Sequence, residues 1–223
     1  MFGVEAAVAQ DLATISLKER AYRIIKENII SCHFSPGSIL SEKDLVAMIG
    51  ASRTPIREAL SRLEQEQLVV IMPQRGSFVS AITAKMIYDI YQVREYLEPL
   101  LVRQVLSAAD PELLAAFRDR IAGLGSDEFS AATAVDSDFH NFLLRSSNND
   151  CLIKMMETMY VHNERIRSLM ARAPRRLRQS NDEHLAIVTA MLAGDGEAAA
   201  EAMRRHMANA RRAALRFQLG DYE

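Results

Sequence analysis

Leu17, Ala21, Ile24, Ile25 and Ile29 recur at the spacing of one helix face, and the turn SPGS at 35–38 ends that helix. Ser41 is a good N-cap for a short second helix, EKDLVAMIG, whose closing Gly50 fits a helix stop. In the stretch ASRTPIREALSRLEQEQLV, residues 51–69, Ile56, Ala59, Leu60 and Leu63 form the apolar stripe of a third helix. Ser52 caps it, and Pro55 is tolerated in its first turn. The run LVVIMPQRGSFVSAI then holds two β-prone segments joined by a Pro/Gly turn, a small hairpin. Helix, helix–turn–helix and hairpin predict a winged helix–turn–helix over residues 16–80, behind an N-terminal tail of residues 1–15.

After a short linker at 81–84, opened by Thr83 as an N-cap, the pattern is helical almost throughout. Helices are predicted at about 84–108, 111–123, 127–147, 150–172, 177–193 and 195–217, separated by DPE, GLGSD, SNND, APRR and GDG. Pro99 lies inside the first of them and is expected to kink or break it. The fold class is mainly α: three helices plus a β-hairpin, then an all-α antiparallel bundle at 85–217 and a C-terminal tail at 218–223.

Composition agrees with helices. Of 223 residues, 49% are apolar, with only 9 Gly and 6 Pro and no Trp. No apolar run reaches the ~18 residues of a membrane span, and the first residues lack the basic start of a signal peptide. Cys32 and Cys151 sit in no metal or disulfide spacing, which points to a reducing compartment and a cytoplasmic protein. The net charge is −2, and residues 1–80 carry nine Lys/Arg against nine Asp/Glu. Nucleic-acid binding by this half therefore has to come from local clusters and not from bulk charge.

The third helix offers such a cluster. Arg53 or Arg57 can pair two-pronged with guanine in a major groove, while Ser52, Thr54 and the helix N-terminus hold phosphates. In the hairpin turn, Gly76 allows close approach of backbone to DNA, and Arg75 can reach phosphate or minor groove. The plainer alternative is that Arg53 and Arg57 are solvated surface charges. The string GSILSEKDLVAMIGASRTPIREALSRLEQEQLV…QRGSFV closely resembles the DNA-binding domain of GntR-family bacterial transcription regulators over about residues 17–80. That resemblance implies that Lys43, Arg53, Thr54, Arg57 and Gly76 contact operator DNA. Val46 departs from the family's frequent alanine at a core-facing position.

In the bundle, the informative polar residues are those on apolar faces. Asp136 and His140, one turn apart, border Val135, Phe139, Phe142 and Leu143, whereas Asp138 points away. His184 lies with Ile187, Val188 and Met191, and His206 with Ala199, Ala202, Met203, Ala210 and Phe217. Three histidines and a carboxylate from three helices suit a divalent ion, zinc first, with nickel or manganese also fitting. Each alone also reads as a surface pair or a hydrogen-bonded core histidine, yet unpaired burial costs on the order of 1–3 kcal/mol per group. Arg94 shares a face with Ile87, Ile90, Tyr91, Leu97 and Leu101 and needs an anion. Either Glu98, one turn on, or the carboxylate of a small effector supplies it.

Residues 84–217 are similar to the all-helical FCD ligand-binding domain of the FadR-type subfamily. The segments DSDFH, EHLAIVTAMLAGD and RRHM carry the likeness, which implies Asp136, His140, His184 and His206 as metal ligands. It further implies a small organic-acid effector and a homodimer on near-palindromic operator DNA. His162, inward with Met155, Met159, Ile166 and Leu169, is placed in the wall of the effector pocket or behind the ligands. Met155, Met156 and Met159 read as core filling. Two rival readings stay open: a metal-dependent enzyme, with Glu183 beside His184 as its one candidate base, and a regulator in which the metal is structural or is itself the signal.

Overall fold

The structure, a computed structural model, describes residues 15–107, 109–125, 129–170 and 174–220. It divides into two units, one ending at Ile82 and the other starting at Thr83. Most of the tail expected at 1–15, and the end of the tail at 218–223, lie outside the described residues.

The first unit contains α1 (Leu17–Ile30), β1 (Ile39–Leu40), α2 (Glu42–Ile49), α3 (Arg53–Gln65), β2 (Val69–Met72) and β3 (Gly76–Val79). Ser16 and Ser41 cap α1 and α2 by accepting from the backbone N–H of Glu19 and Asp44. Gly50 closes α2 in the left-handed conformation, with φ of 70°. All four apolar positions expected on α3 are buried, and α3 packs on α1 and on β2. Leu17, by contrast, is about half exposed. Ser52 sits at the N-cap of α3 but makes no side-chain cap bond, contrary to the capping role expected of it.

The sheet has three strands, not the two of a bare hairpin. β3 pairs antiparallel with β2 from Val69↔Val79 to Met72↔Gly76, and with β1 at Ile39↔Phe78 and Leu40↔Ser77. β1 is only two residues long, too short for an alternating pattern to reveal it.

The second unit is all helix among the described residues: α4 (Ala84–Leu106), α5 (Pro111–Ala122), α6 (Phe129–Ser146), α7 (Asp150–Met170), α8 (Pro174–Leu192) and α9 (Gly196–Gln218). Thr83, Asp110 and Asp195 cap α4, α5 and α9. α9 lies along α4 and α8, and Phe139, Leu143, Met156, Ile187, Val188, Met203 and Met207 fill the space between helices. Pro99 does not break α4. The helix runs on for seven more residues, because Pro99, Leu101, Val102 and Val105 are buried on the face that packs, and that burial outweighs one missing backbone bond. Met155 is a second correction: it is exposed, and Met156, one position on, enters the core. No described helix is long and apolar enough to cross a membrane.

Candidate functional site

Asp136 and His140 project from one side of α6 because Val135, Phe139 and Leu143 commit that helix to the core. His184 is carried inward on α8 by Ile187, Val188 and Met191, and His206 on α9 by Ala199, Ala202, Met203 and Met207. Each imidazole is at most 3% exposed. One ligand atom from each of the four side chains lies within 4.8 Å of all the others. His140 Nε2 is 3.1 Å from His184 Nε2, which is 3.5 Å from Asp136 Oδ1. A tetrahedral ion with bonds of ~2.0–2.1 Å separates its ligand atoms by about 3.3 Å, so these two separations and the donor chemistry of the four side chains fit a divalent metal.

Three of the four are held from behind. Glu183 accepts a 2.6 Å hydrogen bond from His206 Nδ1, one of 2.6 Å from Asn209 Nδ2, and bonds from both terminal nitrogens of Arg176 at 3.0–3.1 Å. A carboxylate only accepts, so the proton sits on Nδ1 and the Nε2 lone pair of His206 is left for a ligand. Glu98, fully buried, stands 2.7 Å from His140 Nδ1 and accepts a 2.5 Å hydrogen bond from Arg94 Nε. Asp136 offers Oδ1 to the cluster while its Oδ2 pairs with Arg167.

The electrostatics keep the imidazoles neutral. Burial depresses His140 even though Glu98 opposes it. Burial, then the neighbouring imidazoles His206 and His140, push His184 well below the usual range. His206 is lowered likewise by burial, with His140 and Arg176 adding to it. Burial would raise Glu98, but the charge of Arg94, with hydrogen bonding from His140 and Arg94, outweighs it and holds the carboxyl well below the usual carboxylate range. Neutral imidazoles are the form that binds metal.

Beside the cluster is a cavity of about 70 Å³ bordered by Asp136, His206 and three arginines, Arg94, Arg167 and Arg176. Asn163 also borders it, buried, with Oδ1 lacking a hydrogen-bond partner. Arg94 thus does two things: it is bonded to Glu98 and it faces the cavity. Arg167 is pulled down to about 10 by burial and the nearby charge of Arg94. A smaller cavity, bordered by His140, Tyr160 and Glu164 among others, adjoins the same residues.

His162 is buried, as the inward face of α7 predicts, but not in the wall of the site. It borders neither cavity, and its Nδ1 lies 3.1 Å from a guanidinium nitrogen of Arg165. At 100° per residue, α7 turns Tyr160, Asn163 and Arg167 toward the centre and carries His162 and Arg165 to the far side of the helix, where both are still buried. Burial and the charge of Arg165 press His162 down to about 4, so it accepts from the arginine as a neutral ring. The reverse omission also holds: Arg167, Arg176, Asn163 and the holding role of Glu183 had no local signal.

In the first unit, Lys43, Ser52, Arg53, Thr54, Arg57, Arg75 and Gly76 are all exposed. Arg57 Nε donates to Glu42 at 2.8 Å across α2 and α3. Gly76 has φ of +105°, and a Cβ there would meet nothing closer than Ile39 Cδ1 at 3.9 Å, so backbone conformation and not space calls for glycine. The backbone N–H of Arg75 donates to Met72 O at 3.0 Å and closes the turn that presents both residues.

Residues 17–79 match the bacterial regulatory proteins of the gntR family, and residues 89–209 match the FCD domain. The Nta operon transcriptional regulator of Aminobacter aminovorans is 34% identical over 169 residues, which cover 74% of this chain and 78% of that one. A transcriptional regulator GntR from Rhodococcus sp. RHA1 is similar in structure with a TM-score of 0.76 and 26% identity, over 92% of this chain and 99% of that one. The Zn2+-bound FCD domain of TM0439 covers 64% of this chain, and the match spans 100% of that domain, with a TM-score of 0.55 and 20% identity, a likeness of fold.

Proposed function

The chain belongs to the gntR family of bacterial regulatory proteins and carries an FCD domain, and on that premise we propose that its second unit holds a divalent metal ion and a small carboxylate effector that together modulate operator binding by the first. It is a DNA-binding transcriptional regulator, as its relatives are. The observation that carries the finer reading is the convergence of Asp136, His140, His184 and His206 at the edge of an arginine-lined cavity.

Asp136, His140, His184 and His206 would hold the ion, zinc before nickel or manganese. When bound, the ion supplies a Lewis-acidic centre for one oxygen of an organic acid. Glu98 and Glu183 fix the ring orientation of His140 and His206. Arg94, Arg167 and Arg176 attract and orient the anion, and the apolar walls around them weaken screening by water. Nothing in this constellation asks for turnover, and the acid leaves unchanged.

On the DNA side, Arg53 and Arg57 read bases from the start of α3, and Lys43, Ser52, Thr54 and the Arg75–Gly76 turn grip phosphates. A homodimer sets two such helices in successive major grooves of a near-palindromic operator. The effector acts by binding one helix arrangement of the second unit more tightly than another.

The test is thermal unfolding against a panel of small carboxylates, with the protein metal-loaded and chelator-stripped. An acid that raises the melting temperature only in the loaded protein is the expected result. No shift with any acid in either form would leave the ion as the structural element or the signal and overturn the effector reading.

A further inference from the structure

Three guanidiniums border the larger cavity, from three different helices: Arg94, Arg167 and Arg176. Each is matched by one carboxylate, Glu98, Asp136 and Glu183 in turn. These charges cancel. The three histidines must be neutral to act as ligands, so a divalent ion brings two positive charges that no described residue of this wall offsets. Glu164 borders only the smaller cavity and is already engaged. One buried polar atom points to an anion independently of the charge count: Arg167 Nε, a donor, has no hydrogen-bond partner.

The cavity sets the scale of what can answer that charge. At roughly 10–15 Å³ per water by this measure, about 70 Å³ matches the bulk of a molecule of a few carbons. A monoanion would leave one buried positive charge uncompensated, whereas a dianion neutralises the site.

We propose that the effector is a small dicarboxylate of about three to five carbons, one carboxylate completing the ion's coordination and the other received by Arg167 and Arg176. This rests on the metal-and-carboxylate reading above and narrows it. Arg176 reaches the second carboxylate from the start of α8, and its bonds to Glu183 tie that contact to His206.

Calorimetric titration of the full-length, metal-loaded protein tests it with propionate, butyrate and pentanoate against malonate, succinate and glutarate. Metal content is measured after each titration, since dicarboxylates also chelate. The expected result is that at least one dicarboxylate binds about tenfold or more tightly than the monocarboxylate of equal carbon number. Arg176→Gln or Arg167→Gln should reduce that advantage to about threefold or less, with Arg176→Lys retaining part of it and metal still bound. Equal binding by the two series overturns the dicarboxylate, and so does an advantage untouched by both glutamine variants. Tight binding of monocarboxylates would leave the broader reading standing; binding of neither series to the loaded protein overturns that reading together with this one.

Discussion

Glu183 accepts a hydrogen bond of 2.6 Å from His206 Nδ1 while the same carboxylate is gripped by Arg176 from the cavity wall. One acid thereby joins a candidate metal ligand to a candidate effector contact. Glu98 does the same between Arg94 and His140. The two relays come from different helices and converge on one cluster.

Removing that support is expected to weaken the metal without removing a ligand. Glu183→Ala should lower metal affinity about 10–100-fold, the usual cost of losing the carboxylate behind a ligand histidine. Glu183→Gln, which can still accept from Nδ1, should cost less. Asp182→Asn, exposed on the same helix, should be neutral. Competition with a chromophoric chelator measures all three, and equal affinity in Glu183→Ala would remove Glu183 from the site.

The histidines of the cluster were legible because helical periodicity places each on an apolar stripe, and a polar residue on such a stripe is conspicuous. Their supports were not. Arg94 and Glu98 are one turn apart and could be paired by spacing alone, but the approach of Glu98 to His140 depends on how α4 meets α6. Glu183 was noticed only as the neighbour of His184 in sequence, although its partner, His206, is on α9. Arg167 and Arg176 look like any of the bundle's surface arginines until tertiary packing closes a cavity over them. His162 is buried as its spacing implies, yet on the other side of α7 from Tyr160, Asn163 and Arg167, and of the methionines assigned to the core Met155 is exposed while Met156 is fully buried. In the first unit, local signals sufficed for all three helices, while β1 acquires its strand character only from pairing with β3.

Metal should stabilise the folded chain. At an ion concentration of about 100 times the dissociation constant, linkage contributes roughly 2.7 kcal/mol, which for a domain of this size raises the melting temperature by about 5–10 °C. Scanning calorimetry with and without chelator checks this. His184→Ala and His206→Ala should both abolish the difference, and a chelator effect that survives them would place the ion elsewhere.

Acid should destabilise the protein well above the range where ordinary carboxylates titrate. His140, His184 and His206 are depressed below 6.5 by burial, and His162 is lowered to about 4. Between the folded and unfolded values the unfolded chain binds more protons, so stability present above pH ~6.5 is lost as pH falls. For His162 the window runs from about 6.5 down to about 4. Urea midpoints at pH 7.5, 6 and 5, in chelator, should fall steadily. Constant midpoints would mean that these rings titrate in the folded state as they do in the unfolded chain.

On DNA, Arg53→Ala and Arg57→Ala should each cost about 1–3 kcal/mol and relax preference at one base position, as a base-edge contact does. Lys43→Ala should weaken all sequences alike and reduce the salt slope by about one ion. Glu42→Gln releases Arg57 from its 2.8 Å ion pair and should leave binding equal or tighter. Fluorescence anisotropy across a salt series separates these patterns. A uniform loss with Arg57→Ala would make it a phosphate contact.

The most direct test is operator affinity of the full-length protein, on DNA selected from a random pool, under four conditions: neither ion nor acid, ion alone, acid alone, and both. Coupling between the two sites predicts that affinity changes about 5–150-fold only when ion and acid are present together. The same affinity in all four conditions would contradict control of the DNA-binding unit by the Asp136, His140, His184 and His206 centre.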